Sequence, residues 1–184
     1  MISALRYSRL NVALGLRTIM FDKLQKRETY RVLGLAAMHS GGSEYKIAWA
    51  MYLLEQGIET NNLAILASLL RPVNEFEAED YFNVVLSELG IERPDDESAL
   101  KGYAKALVQD VLEGVLSPEV AVSQINEINI LLGCPDELAE YISLDDEWYC
   151  ECINGWSEEQ RRHEIIKACK DVDNKFTYPE IFKA

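Results

Sequence analysis

Histidine is the scarcest side chain in this sequence, and cations are few beside the anions. Only His39 and His163 occur in 184 residues. A histidine-based acid, base or triad would have to draw on one of these, and neither sits in the sequence context of a nucleophile. Lysine and arginine number 18 against 31 aspartates and glutamates, giving a formal charge of −13 and an isoelectric point near 4.6. A surface of that sign is repelled by nucleic-acid backbones and by anionic lipid surfaces, so neither nucleic acid nor membrane is expected as a partner. No apolar run approaches the roughly eighteen residues needed to cross a bilayer; the longest spans Ile47 to Leu54. Cysteine does not occur before Cys134. Met1 to Leu16 lacks the basic-then-apolar order of a signal peptide, so the expected compartment is the cytoplasm and the thiols are expected to be reduced. The 5 prolines are too few for a linker-rich or disordered chain.

With 48% apolar and 27% charged residues, the composition is that of a globular protein. A length of 184 residues suits one core, so residues 1–184 are expected to form a single domain. Wherever the chain is patterned, the period is that of a helix. From Ser98 to Glu113, the residues Leu100, Tyr103, Ala104, Leu107, Val108, Val111 and Leu112 fall on one face. Gly114 then closes the helix, and Ser117 with Pro118 opens the next, which buries Ala121, Ile125, Ile128 and Leu132 before Gly133. Asn74 caps a helix with Glu77 at its third position and a stripe of Ala78, Phe82, Val85, Leu86 and Leu89 ahead of Gly90. Ser43 opens Glu44 to Gln56, whose run Ile47 to Leu54 predicts burial on several sides and the central place in the fold. Further helices are predicted over Ser8 to Gln25, Thr29 to Met38, Asn62 to Leu70, Pro135 to Ile142, Asp145 to Asn154 and Ser157 to Lys170, the last with Ser157 and Gln160 in capping-box spacing. The fold class is therefore all-α, a compact stack of about eight to nine antiparallel-paired helices.

Leu53, Glu55, Gly57, Ile58 and Glu59 are echoed by Leu86, Glu88, Gly90, Ile91 and Glu92, aligning Trp49 with Phe82. In spacing and helix pairing this resembles tetratricopeptide or HEAT-type stacks over about a third of the chain. The large and small residue signature of a tetratricopeptide is absent, and any two helices closed by glycine and an apolar residue would give a similar echo. No family is assigned on it.

Four candidate sites remain. The stretch Trp148 to Trp156 holds Cys150 and Cys152, which with His163 and Cys169 make four zinc-type ligands. Paired zinc cysteines are usually separated by two to four residues, and helix neighbours two apart diverge by about 200°, so aromatic packing is the preferred reading and no metal or cofactor is expected. The run from His163 to Lys167 lacks the second histidine of a helical zinc protease motif. Met38 to Lys46 places Gly41 and Gly42 before a helix start, but without the lysine and hydroxyl of a P-loop and with Glu44 opposing a phosphate. Carboxylates cluster at Glu75, Glu77, Glu79 and Asp80, at Asp95, Asp96 and Glu97, and at Asp145, Asp146 and Glu147. Each cluster precedes or opens a helix, where negative charge meets the favourable end of the dipole. The first two are the candidate interaction surface for another protein, of basic character. An inhibitor or immunity protein masking a basic toxin or nucleic-acid-binding protein is a narrower form of that reading. The rival is an enzyme or small-ligand binder with a pocket between helices, although no catalytic signature occurs.

Overall fold

A computed structural model describes residues 20–38, 43–150 and 154–183. Among these residues it is all-helical, with eight helices and no strand. They are α1 (Lys23–Ala37), α2 (Glu44–Glu55), α3 (Asn61–Ala67), α4 (Glu75–Glu88), α5 (Asp96–Leu112), α6 (Pro118–Leu131), α7 (Glu140–Cys150) and α8 (Glu158–Lys175). Most of the helix predicted over Ser8 to Gln25 lies outside the described residues. Within them α1 starts at Lys23, where Asp22 and Gln25 form a capping box.

Local chemistry explains most boundaries. Asn74, Asp95 and Thr60 accept backbone N–H bonds at the starts of α4, α5 and α3, and Ser157 with Gln160 makes the predicted box at α8. Ser43 and Ser117 occupy N-cap positions without a side-chain cap bond; at α6 the proline at the first helical position sets the entry instead. The helices predicted over Pro135 to Ile142 and Asp145 to Asn154 are one helix, α7, entered through turns at 135–139. α3 stops at Ala67, short of the predicted Leu70.

Four helices end alike. The N–H groups of Ile58, Ile91, Val115 and Cys134 bond back to the carbonyls of Leu53, Leu86, Asp110 and Asn129 at 2.8–3.0 Å, across Gly57, Gly90, Gly114 and Gly133 with positive φ. This is the six-to-one bond of a glycine C-cap. It gives the sequence echo a local cause, because the same cap recurs at Gly114 and Gly133 where no 33-residue spacing places it.

Two apolar clusters form the core. One gathers Leu33, Trp49, Leu53, Leu63, Leu66, Phe82, Val85 and Ile181 from α1 to α4 and the C-terminal segment. The other gathers Leu107, Val108, Ile125, Ile128, Leu138, Tyr141, Ile165 and Val172 from α5 to α8. The central helix is α5, not α2 as its apolar run predicted. From Gly102 to Val108 every α5 residue is buried, whereas Ala48 and Met51 of α2 face solvent. Hydropathy misplaced the centre because α5 buries Lys105 and Asp110 through ion pairs, with Asp173 at 2.6 Å and Arg27 at 2.7 Å.

The tightest packing is between α1 and α5. Gly34 lies under Tyr103 and Gly102 under the ring of Tyr30, so each helix presents a glycine to the other's tyrosine. After α8 the chain runs back across α1. Tyr178 stacks on Tyr30 at 4.3 Å, Phe182 meets Phe21 at 5.0 Å, and Glu92 N–H donates to the Ile181 carbonyl at 2.7 Å. The C-terminal segment thereby pins α1 to the α4–α5 turn.

Candidate interaction site

Charge is used unevenly in this fold. Lys23, Arg27, Arg31, Lys46, Arg93, Lys101, Lys105, Arg162, Lys167 and Lys183 each lie in an ion pair with a carboxylate. The anions outnumber them, and among the described residues several exposed ones meet no cation. The most buried set joins α1 to α5. Arg27, 2% exposed, bonds Asp110 at 2.7 Å and Glu113 at 2.6 Å; Lys23 also reaches Glu113, and Arg31 reaches both Asp110 and Glu28. Three cations face three carboxylates, so this network is neutral. Its sequence signal was Asp110, a carboxylate among Leu107, Val108 and Val111.

The two predicted acidic clusters behave differently residue by residue. Glu79 is committed: Lys46 and Arg93 both bond its carboxylate, and Arg93 also reaches Asn83 at 2.7 Å. Partial burial alone would raise the Glu79 pKa, but the two cations outweigh it and lower it from 4.5 to about 2. Asp95 caps α5 by accepting from Ser98 N–H, which lowers its pKa, and Glu97 pairs with Lys101 at 2.6 Å. Glu75, Glu77, Asp80 and Asp96 are exposed, and among the described residues no cation pairs with them. Arg93, two residues before the α5 cap, ties the segment between the helices to Glu79 and Asn83 of α4. Phe76, 86% exposed, stands between Glu75 and Glu77. Sequence patterning had not marked it, although a phenylalanine in the first turn of a helix, off the Ala78 and Phe82 stripe, was its signal.

The third carboxylate cluster does not open a helix as expected: Asp145, Asp146 and Glu147 lie within α7, because the turns before Glu140 start that helix earlier. Glu147, 1% exposed, accepts from the backbone N–H of Asn154 at 2.8 Å and of Trp156 at 3.4 Å, holding the entry to α8. Asp145 accepts from Ser123 at 2.7 Å and Asn126 at 3.0 Å, joining α7 to α6.

Of the sulfur and histidine candidates, the structure describes Cys150, His163 and Cys169. Cys169 is fully buried in the second cluster and accepts from Tyr141 OH at 3.4 Å; burial pushes its thiol pKa up to about 11. Cys150 and His163 are exposed, the latter in an open groove with Trp156, Glu159, Gln160 and Glu164. Cys152, His39, Gly41 and Gly42 lie outside the described residues. Among those described, no group of three or more His, Cys, Asp and Glu side chains is placed to hold a metal ion.

A second surface was not read from the sequence. α1 and α2 run antiparallel, as Thr29 accepts from the Trp49 indole at 3.2 Å while Leu35 and Tyr45 share one end of a groove between them. Its volume is about 200 Å³, and it is lined by Glu28, Arg31, Val32 and Leu35 from α1 and by Tyr45, Ala48, Trp49 and Tyr52 from α2. Both sets fall at helical offsets 0, 3, 4 and 7. The Tyr45 pKa is raised by burial and then by Glu79 and Glu75, against Arg93; that of Tyr52 is raised by burial and then by Asp22 and Glu28. Cations act there too: Lys46 Nζ lies 5.4 Å from the Tyr45 ring centroid, and Arg27 opposes the rise at Tyr52.

No protein-family model, curated protein or solved structure matches this chain.

Proposed function

We propose that the chain is a helical protein-interaction module, acting as one domain, whose acidic face receives a basic partner protein. The observation that carries this reading is Phe76, an exposed aromatic between Glu75 and Glu77 at the start of α4, where the nearby cations Lys46 and Arg93 are both spent on Glu79. Exposed aromatics are the side chains that dominate binding energy at interfaces, and uncompensated carboxylates around one steer a positive partner toward it. Leu70, 84% exposed just before α4, extends the apolar character of that region. An inhibitor that masks a basic toxin is the narrower form of the same reading. The tetratricopeptide-like or HEAT-like stacking suggested by the echo belongs to the same reading, since such stacks present helix faces to partners. A cytoplasmic setting fits the thiols. A catalytic reading has less support: the carboxylates with shifted pKa, Glu79, Asp95, Glu113 and Asp173, are all lowered, which suits ion pairing rather than proton donation at neutral pH.

The test is affinity capture from the source cell with three baits: the native chain, Phe76→Ser, and Glu75→Gln with Glu77→Gln. The native bait should retain a basic protein that both variants lose. Equal recovery on all three would remove this surface from the function.

A further inference from the structure

We infer that the groove between α1 and α2 is closed from within the chain: residues 8–19 fold back on α1 as a helix and cover it. The inference is independent of the basic partner proposed above and rests on where the chain leaves the described residues. Because α1 and α2 run antiparallel, with Leu35 beside Tyr45, the start of α1 lies at the Tyr52 end of the groove. The helix expected from Ser8 does not run straight into α1. Met20, Phe21 and Asp22 are non-helical, Asp22 caps α1, and Phe21 is buried in the first core cluster. Three such residues suit the turn of an antiparallel helical hairpin, which takes about two to five. The chain ahead of Met20 therefore starts at the mouth of the groove and is anchored beside it.

Groove and segment each lack a counterpart. The apolar lining extends outward to Leu24, 56% exposed, and Met51, 50% exposed, and among the described residues no helix covers either. Residues 1–19 in turn hold Leu5, Leu10, Val12, Leu14, Leu16 and Ile19 and no aspartate or glutamate. Leu5, Val12, Leu16 and Ile19 fall at offsets 0, 7, 11 and 14, one face of a helix. The lengths agree: residues 8–19 and residues 24–35, the α1 wall, each span about 16 Å as helix at 1.5 Å per residue. Folded back, Ile19 would come beside Leu24, with Leu16 and Val12 following along the groove toward Leu35. Two antiparallel helices with apolar stripes offer a third the ridge-and-groove seat that such packing requires. The floor is firm, because Trp49 is buried against Phe82 at 5.4 Å and donates to Thr29. Tethering decides the occupant. A segment joined to the groove's mouth by three residues is present there at an effective concentration on the order of millimolar, ahead of a partner that must diffuse to the same seat.

The experiment uses the full-length chain, labelled for nuclear Overhauser contacts and amide hydrogen exchange. Three forms are compared: the native chain, Ala48→Arg, and Val12→Ser with Leu16→Ser. Ala48 is exposed, so its replacement obstructs the groove without touching the core, and the serine pair alters the segment alone. In the native chain the Val12 and Leu16 methyls should contact Ala48 and Tyr52. Amides of residues 8–19 should exchange at least about tenfold faster in either variant, and the serine pair should shift the Tyr45, Ala48 and Tyr52 amides. Absence of those contacts, or native exchange over residues 8–19 as fast as in the variants, would overturn the proposal. So would contacts from residues 8–19 to another part of the fold. Contacts found only between differently labelled chains in a mixed sample would also overturn it, by giving the groove to a second copy. Every form keeps Glu75, Phe76 and Glu77, so none of these results bears on the acidic face of α4.

Discussion

Replacing Asp110 tests how firmly α1, one wall of the groove, is held on α5. Its carboxylate takes Arg27 on one oxygen at 2.7 Å and Arg31 on the other, and both Arg27 and Asp110 are almost wholly buried. In Asp110→Ala the Arg27 guanidinium keeps only Glu113, whose side chain is 39% exposed. Breaking a buried pair by removing one partner typically costs about 3–5 kcal/mol, because the other charge stays desolvated. The remaining bond to Glu113 and water access along it place the expected loss near the lower end, at about 3 kcal/mol. At a urea slope of roughly 2 kcal/mol per molar, the unfolding midpoint falls by about 1.5 M. The double variant Arg27→Met with Asp110→Leu removes both charges together and should recover most of that loss, since apolar replacements of buried pairs are often neutral. A double-mutant cycle by urea denaturation, monitored through tryptophan fluorescence, gives the coupling, expected at about 2 kcal/mol or more. If Asp110→Ala costs under about 1 kcal/mol, or if the double variant is no better than the sum of the singles, the network does not hold α1 in place.

Three further outcomes are expected. Gly34→Ala gains about 1 kcal/mol of helix propensity but puts a Cβ 2.2 Å from the Tyr103 Cβ, so thermal unfolding should show a net loss, about 2 kcal/mol on typical overpacking costs. An unchanged melting temperature would mean that the α1–α5 contact is looser than described. The Glu79 pKa is lowered on folding, so its ion pairs contribute fully above about pH 5 and that stability is lost as pH falls from 4.5 toward about 2. The gap in urea midpoint between native chain and Glu79→Gln should therefore shrink through that window, and a constant gap would contradict the assignment. Cys134 and Cys150 are exposed while the Cys169 thiol is buried with its pKa pushed up to about 11. Site-resolved mass spectrometry after a thiol reagent at neutral pH should show Cys169 modified only on unfolding, and its early labelling would refute that burial.

Much of this architecture was legible because it is written in local chemistry. The caps at Asn74 and Ser157, the glycine ends at Gly90, Gly114 and Gly133 and the stripes of α4, α5 and α6 depend on residues within a few positions of one another. The centre of the fold was not legible, since Lys105 and Asp110 look like solvent-facing charges until partners 68 and 83 residues away in sequence neutralise them. For the same reason the run Ile47 to Leu54 overstated burial: among the described residues no helix covers Ala48 and Met51, and no period in the run encodes that. At the candidate site, sequence gathered Glu75 to Asp80 and Asp95 to Glu97 correctly as helix-start clusters. It could not separate Glu79, taken by Lys46 and Arg93, from Glu75 and Glu77, which have no such partner among the described residues. The groove needed two helices brought side by side, and each of its stripes alone reads as ordinary core.

The central claim is that this acidic face recruits a basic partner, and the most direct measurement is the association rate with the captured partner by rapid mixing at low and high salt. Screening shortens the reach of exposed charge from about 10 Å at 0.1 M to about 3 Å at 1 M. The on-rate for the native chain should therefore fall by roughly tenfold or more across that range, and by a similar factor at low salt in Glu75→Gln with Glu77→Gln. An on-rate indifferent both to salt and to those two substitutions would contradict the account and leave the charge of −13 as a trait of solubility.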